Sequence, residues 1–178
     1  MSKITITIQD LDLETGTYSV DFDAEGAQID QGIATAAYFT GYYLYTLIED
    51  DGFIDAVVKF SHEIAKNMEE NTDSPCLSAT EPVVARLTLV DKDINTGRYL
   101  PHLEFMGGDP EGQYLPTTAQ CVGLYMRALM SDTNFQQACW DFAEKLTKDT
   151  DGAVIVNAEH ALADNDSGEA PVRIANEG

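Results

Sequence analysis

The feature that most constrains this chain is a hairpin pattern that occurs twice. The segment ITITIQDLDLETGTYSVDF at residues 4–22 returns as ARLTLVDKDINTGRYLPHL at residues 85–103, an offset of 81 positions. The residues that are identical in the two segments are Thr7, Asp10, Asp12, Thr15, Gly16 and Tyr18 in the first, and Thr88, Asp91, Asp93, Thr96, Gly97 and Tyr99 in the second. A pattern repeated at a fixed offset predicts two copies of one structural unit.

Each copy begins with a strand pattern. Ile4, Ile6 and Ile8 alternate with threonines, which is typical of a strand with one buried face. Alternation resumes after the segment LETG, where Gly16 suits the residue of positive φ that closes a short hairpin turn, and Gly97 repeats it. We therefore expect two hairpins, with the acidic residues around their tips facing water.

The correspondence continues beyond the hairpins at an offset of 82 positions, in segments of helical period. The identical positions are Thr35, Ala37, Gly41, Tyr43, Leu47, Asp50, Phe53, Ala56 and Phe60 in the first copy, and Thr117, Ala119, Gly123, Tyr125, Leu129, Asp132, Phe135, Ala138 and Phe142 in the second. These segments predict two helices in each copy.

The first helix of each copy is predicted over about residues 33–49 and 117–130. The second helices are predicted to begin after residue 52 and at Thr133, where Thr133 and Gln136 have the spacing of a capping box. Gly41 and Gly123 recur in mid-helix, where glycine costs about 1 kcal/mol, and this predicts a close helix crossing between the two copies.

These patterns predict an α+β fold. We expect two tandem ββαα repeats, 1–70 and 83–148, related by pseudo-twofold symmetry, with one antiparallel sheet and the helices on one face. The linker is predicted at 71–82, which is rich in Pro, Ser, Thr and Asn. The remainder, 149–178, is predicted to be an acidic tail in which the run AVIV adds a short edge strand.

Charge is the most informative feature for function. The chain has 31 acidic and 10 basic residues, for a formal net charge of -21. Such a charge repels nucleic acid and anionic membranes and attracts basic protein surfaces. An odd count of cysteines, Cys76, Cys121 and Cys139, predicts free thiols in a reducing compartment. Without a leader or membrane-spanning pattern, we expect a cytoplasmic protein.

No segment has a catalytic signature, so neither a reaction nor a cofactor is predicted. The closest local motif is DKDINTG, whose Asp and Asn residues have the 1, 3, 5 spacing of a calcium loop. The residues in question are Asp91, Asp93 and Asn95, echoed by Asp10, Asp12 and Glu14. Glycine falls at position 7 and no glutamate stands at position 12, so a solvated hairpin tip is favoured over a cation site.

The aromatic run YFTGYYLY at residues 38–45 has two interpretations. It could stack nucleic-acid bases, or it could pack in the core and between the copies. No basic residues stand nearby to neutralise phosphates, which favours packing.

The acids themselves are the candidate site. They are Asp10, Asp12, Glu14, Asp21, Asp23, Glu49, Asp50, Asp51, Asp55, Asp91 and Asp93. Rows of such carboxylates could imitate a phosphate backbone and bind a basic nucleic-acid-binding protein. Two alternatives remain: an acidic surface adapted to high salt, and a structural or assembly protein that forms oligomers, such as a homodimer, through its aromatic helices.

A resemblance supports the first interpretation. The pattern ITITI followed by TGTYSVDF and a Thr-Ala-rich helix resembles small hairpin-helix proteins of bacteriophages, over residues 4–47 and 85–130. An acidic, duplicated chain without catalytic residues is similar to phage anti-restriction and anti-CRISPR inhibitors. The resemblance implies a non-enzymatic DNA mimic that blocks a host defence complex in the host cytoplasm.

Overall fold

The computed structural model describes residues 2–26, 35–70, 77–93, 97–108, 114–148 and 170–171. The strands are β1 Lys3–Asp12, β2 Thr17–Glu25, β3 Val83–Asp93, β4 Arg98–Gly107 and β5 Ala170–Pro171, and the helices are α1 Ala36–Leu47, α2 Asp51–Glu70, α3 Thr118–Leu129 and α4 Thr133–Lys148. The α+β class is therefore confirmed. Half of the predicted linker, 71–76, and the run AVIV lie outside the described residues.

The strands form one antiparallel sheet in the order β2-β1-β3-β4-β5. The two hairpins join through β1 and β3, and Ile6 lies opposite Leu87 at the centre of that pairing. Lys3 pairs with Val90 at one end of this pairing, and Gln9 pairs with Val84 at the other end. The short strand β5 pairs with the start of β4.

Both hairpins turn through a glycine of positive φ, as predicted: φ is 67° at Gly16 and 65° at Gly97. The register of each hairpin shifts just before the turn, between Asp10 and Asp12 and between Asp91 and Asp93. An irregularity of this kind re-aims the side chains beside it.

One face of the sheet is buried under the helices. Ile4, Ile6 and Ile8 on β1 are fully buried, whereas Thr5 and Thr7 between them are only half-buried on the opposite face. The alternation predicted for β1 is thus confirmed. Each of these isoleucines contributes about 1.5 to 3 kcal/mol through burial, so β1 is a central part of the core.

The mid-helix glycines bring the helices close to the sheet. A methyl group at Gly41 would lie 2.5 Å from Cγ2 of Ile4, and one at Gly123 would lie 3.1 Å from Cβ of Ala85. Strand side chains are the nearest neighbours of both glycines, so the prediction of a helix–helix crossing there is wrong. Sequence spacing shows that a close approach is needed but not which element makes it.

Helix contacts run between the first and second halves of the chain. Tyr43 on α1 lies against two rings of α4, with centroid distances of 5.6 Å to Phe135 and 5.0 Å to Phe142. Tyr125 on α3 lies against two rings of α2, at 5.4 Å from both Phe53 and Phe60. The aromatic residues pack in the core and between the halves, which confirms that interpretation of the run YFTGYYLY.

Helix starts differ in part from prediction. The first helix begins at Ala36, after the extended residue Thr35, whose Oγ1 accepts from the N–H of Tyr38 at 3.3 Å. A full capping box is present in α3, between Thr117 and Gln120.

The capping box predicted for α4 is wrong. Oδ1 of Asp132 accepts from the N–H of Phe135 at 3.0 Å, and the amide of Gln136 donates to the carbonyl of Met130. Asp132 caps α4 because Thr133 is already the first helical residue.

Candidate functional site

The outer strand β2 places a row of carboxylates on the open face of the sheet. Asp21, Asp23 and Glu25 are exposed, and they lie opposite Thr7, Thr5 and Lys3 of β1. Strand geometry puts alternate residues on one face at intervals of about 6.8 Å. We call Asp21, Asp23 and Glu25 the acidic row.

The acidic row is not balanced by the basic residues of this face. Lys3 lies 3.7 Å from Glu25, and Arg86 lies 3.0 Å from Glu104 on the β3–β4 side. Neither pair includes Asp21 or Asp23. The negative charges of Asp21 and Asp23 are therefore not offset by these pairs. Exposed pairs of this kind contribute about 0 to 1 kcal/mol to stability.

The other face of β2 adjoins a cluster of aromatic rings. Phe22 lies 6.4 Å from Tyr38, 6.0 Å from Tyr42 and 5.2 Å from Tyr45 between ring centroids, and the rings of Tyr38 and Tyr42 are stacked. All four side chains are half-buried, and burial raises the pKa of Tyr38 above its ordinary value. We call these four residues the aromatic shelf.

The first hairpin tip presents Asp12 and Glu14, both exposed. Oδ1 of Asp12 accepts from the N–H of Glu14 at 2.9 Å and of Thr15 at 3.3 Å. These backbone hydrogen bonds lower the pKa of Asp12 below its ordinary value. Asp12 therefore helps to form the turn as well as contributing charge.

Asp10 and Asp91 do not face water, and the expectation that they would is wrong. Both are 3% exposed. Asp10 accepts from the N–H of Val83 at 3.0 Å through Oδ2, and from the N–H of Ala119 at 2.8 Å through Oδ1. Asp91 accepts from the N–H of Ser2 at 2.7 Å. Each carboxylate joins the two halves of the chain, and neither is available to a partner.

The burial of Asp10 also bears on the calcium alternative. Both of its oxygens already accept backbone N–H groups, so they do not converge with Asp12 and Glu14 on a cation. In the second hairpin, Asn95 lies outside the described residues and the side chain of Asp93 is not described. Within the described ranges, no three His, Cys, Asp or Glu side chains are grouped to hold a metal ion.

The corner between α1 and α2 presents the remaining predicted acids, Glu49, Asp50, Asp51 and Asp55, all exposed. Oδ1 of Asp50 accepts from the N–H of Gly52 at 2.7 Å, and Asp51 lies in the first turn of α2. Negative charge at a helix N-terminus is favourable, so part of this cluster stabilises the helix start.

The two hairpin tips lie at opposite ends of the sheet. The first tip follows Asp10, whose carboxylate contacts Val83 at the start of β3, and the second follows Asp91, whose carboxylate contacts Ser2 before β1. Strands of this length separate their ends by about 30 Å. The tips therefore do not form one acidic surface, and only the first is continuous with β2.

The structure also bears on the cysteines. Cys121 and Cys139 are free and buried, as predicted, and burial raises the pKa of Cys121 to about 11. A thiol with so high a pKa is a poor nucleophile at neutral pH. Cys76 lies outside the described residues. None of the helices in the described residues is long and apolar enough to span a bilayer.

Comparison of the chain with protein-family models, with curated proteins and with solved structures found no match. The geometry of the sheet therefore carries the functional argument. Sequence reasoning found the three acids of β2 but did not predict the aromatic shelf. The acids have the period-2 spacing of one strand face, whereas the shelf depends on how α1 packs beside β2.

Proposed function

We propose that the protein is a non-enzymatic binding protein whose acidic row occupies a basic, nucleic-acid-binding surface of a partner protein. The observation that carries the proposal is the placement of Asp21 and Asp23 on the exposed face of an outer strand. The fold uses other acids for its own hydrogen bonds, among them Asp10 and Asp91.

The spacing of the acidic row suits imitation of a phosphate backbone. Successive carboxylates on one face of a strand are about 6.8 Å apart, which corresponds to two base-pair steps of about 3.4 Å along DNA. A partner that binds this row exchanges phosphates for carboxylates and releases its own counterions. Binding should consequently weaken as salt rises.

The proposed setting is defence by a host cell against a bacteriophage. In this proposal the protein is phage-encoded and blocks a restriction or CRISPR complex in the host cytoplasm. The high negative charge and the resemblance noted from the sequence support this setting.

The finer architecture is also part of the proposal. We propose that residues 1–70 and 83–148 are tandem ββαα repeats related by a pseudo-twofold axis. The order of the elements, two strands and then two helices in each half, supports this proposal. So does the pairing of Ile6 with Leu87 at the centre of the β1–β3 register. A twofold axis relates each residue pair on one side of that centre to an equivalent pair on the other side.

The alternatives have less structural support. An assembly protein would form oligomers through its aromatic helices, and Tyr43 and Tyr125 of those helices are already used in contacts between the halves. Salt adaptation predicts acids spread without pattern, and it does not account for a regular row on one outer strand.

A release experiment tests the proposed function. Bacterial lysate proteins bound to double-stranded-DNA beads are challenged with the protein at constant ionic strength, and the released proteins are identified. We expect release of a restricted set of DNA-binding proteins, and a several-fold weaker release by the double variant Asp21→Asn/Asp23→Asn.

Two controls separate specific mimicry from bulk charge. Polyglutamate of matched total charge reports on non-specific ion exchange, and the variant Glu63→Gln/Asp141→Asn removes two exposed charges from α2 and α4. The proposal would be contradicted if the two variants released these proteins equally well. It would also be contradicted if polyglutamate released the same set of proteins.

A further inference from the structure

We infer that the outer edge of β2 binds an extended basic segment of the partner protein by strand addition. The segment would carry lysine or arginine at alternate positions, facing the acidic row, and apolar residues between them, facing the aromatic shelf. This inference rests on the proposed function for the basic nature of the partner, and it adds the mode of recognition.

The backbone of β2 can accept another strand. It spans nine residues, Thr17–Glu25, and stands at the end of the strand order, so it pairs with β1 on one side. Alternate N–H and C=O groups of an antiparallel strand point away from its neighbour. Within the described residues no strand pairs with this second side, whereas the edge of β4 pairs with β5. The two edges of the sheet thus differ.

Charge defines which strand fits. Opposite charges that face each other on neighbouring strands stabilise the pair, and like charges destabilise it. A second copy of this chain would place Asp21 and Asp23 near the same acids, which disfavours self-pairing through β2. A basic strand would instead set one cation beside each member of the acidic row.

The opposite face of the same edge is apolar and incompletely covered. Tyr18, Val20, Phe22 and Ala24 pack against the core but are only partly buried, whereas Ile6 and its neighbours one strand inward are fully buried. Tyrosine and phenylalanine are efficient anchors because they bury a large area for few rotatable bonds. The added strand would complete this cover with its apolar side chains.

Synthetic peptides test the mode of recognition. A fluorescein-labelled heptapeptide of alternating lysine and valine is titrated with the full chain and followed by fluorescence anisotropy. Its block isomer, with the lysines grouped and the valines grouped, has the same composition and charge. We expect the alternating peptide to bind about tenfold more tightly, because only it matches both faces of β2.

Two further measurements separate strand addition from charge attraction. N-methylation of every valine and internal lysine keeps the charge but removes the backbone donors, and we expect affinity to fall about tenfold or more. Amide hydrogen exchange over 17–25 should slow when the alternating peptide binds. The variant Asp21→Asn/Asp23→Asn should bind about three- to thirtyfold more weakly, and the control Glu63→Gln/Asp141→Asn within about twofold of the native protein.

The outcomes distinguish the two proposals. Equal affinity for the alternating, block and N-methylated peptides, or no binding of any of them, would overturn strand addition. In that case the release of proteins from DNA beads still decides the proposed function by itself. If the Asp21→Asn/Asp23→Asn variant released those proteins to the same extent as the native chain, the proposed function would be contradicted too.

Discussion

The first hairpin, β1–β2, and the second, β3–β4, share a glycine of positive φ at the end of the turn and a buried acid before it. Gly16 and Gly97 have φ within 2° of each other, at 67° and 65°. Asp10 and Asp91 are equally buried, and each accepts a backbone N–H from the opposite half of the chain. Asp10 and Asp91, which match in sequence at an offset of 81 positions, therefore have similar structural roles.

The same hairpins differ on the open face. Asp21 and Asp23 of β2 correspond at the repeat offset to His102 and Glu104 of β4, and Glu104 is paired with Arg86. Two acids outside the ion pairs of this face, Asp21 and Asp23, are thus not required to build this hairpin. The difference separates acids that hold the fold from acids available to a partner.

The largest expected effect comes from removing the buried acids. Asp10→Ala leaves the N–H groups of Val83 and Ala119 without their acceptor, and a hydrogen bond to a charged group contributes about 1.5 to 3 kcal/mol. We expect the free energy of unfolding in urea to fall by about 3 to 5 kcal/mol. Asp91→Ala should cost about half as much, because within the described residues its carboxylate accepts one N–H, that of Ser2. Losses near zero in both variants would contradict the assigned roles.

The mid-helix glycines give the next effect. Gly41→Ala places a methyl group 2.5 Å from Ile4, and overpacking of about 1 to 3 kcal/mol should exceed the gain in helix propensity of about 1 kcal/mol. Gly123→Ala meets its neighbours at 3.1 Å and should destabilise less. Thermal unfolding of the two variants measures the difference, and a lower melting temperature for Gly123→Ala would reverse the comparison.

Neutralising the acidic row should barely change stability. Asp21→Asn/Asp23→Asn removes exposed charges from a chain of net charge -21, and we expect a change of about 0.5 kcal/mol or less, in the stabilising direction because self-repulsion is relieved. Glu104→Gln should instead lose up to about 0.5 kcal/mol with its ion pair to Arg86. Urea unfolding at low ionic strength measures whether each variant is more or less stable than the native protein. If Asp21→Asn/Asp23→Asn were less stable, the acidic row would have a role in stabilising the fold.

The smallest effect concerns Asp12. Backbone hydrogen bonds lower its folded-state pKa below the ordinary 3.8, so the ionised form stabilises the turn. That contribution is present above the unfolded-state pKa and is lost as pH falls through the lower, folded-state value. The stability difference between the native protein and Asp12→Ala should therefore be constant at neutral pH and shrink below pH 3.8. A carboxyl titration by NMR checks the cause, and a midpoint above 3.8 would refute it.

Local patterns were sufficient to predict most of the elements. The alternation of Ile4, Ile6 and Ile8 and the glycine at each turn predicted both hairpins, because period and φ are local properties. The capping of α4 was misassigned by one residue, since Asp132 and Thr133 are both good cap residues and only the backbone decides between them.

The candidate site was predicted less well than the elements. Asp21 and Asp23 were found from their residue type, and their exposure follows from the period of β2. The aromatic shelf was missed because it joins Phe22 of a strand to three tyrosines of α1, and no sequence spacing relates them.

The sequence by itself determined the two hairpins, the helical segments that follow them and the excess of negative charge. Tertiary structure alone decided which acids of the first hairpin tip carry that charge to the surface. Asp10 and Asp12 stand two residues apart in the same acidic tip, yet the first is buried and the second is exposed. The reason is that the donors for Asp10 come from Val83 and Ala119, residues 73 and 109 positions away, which only the assembled sheet and helix bring to its carboxylate.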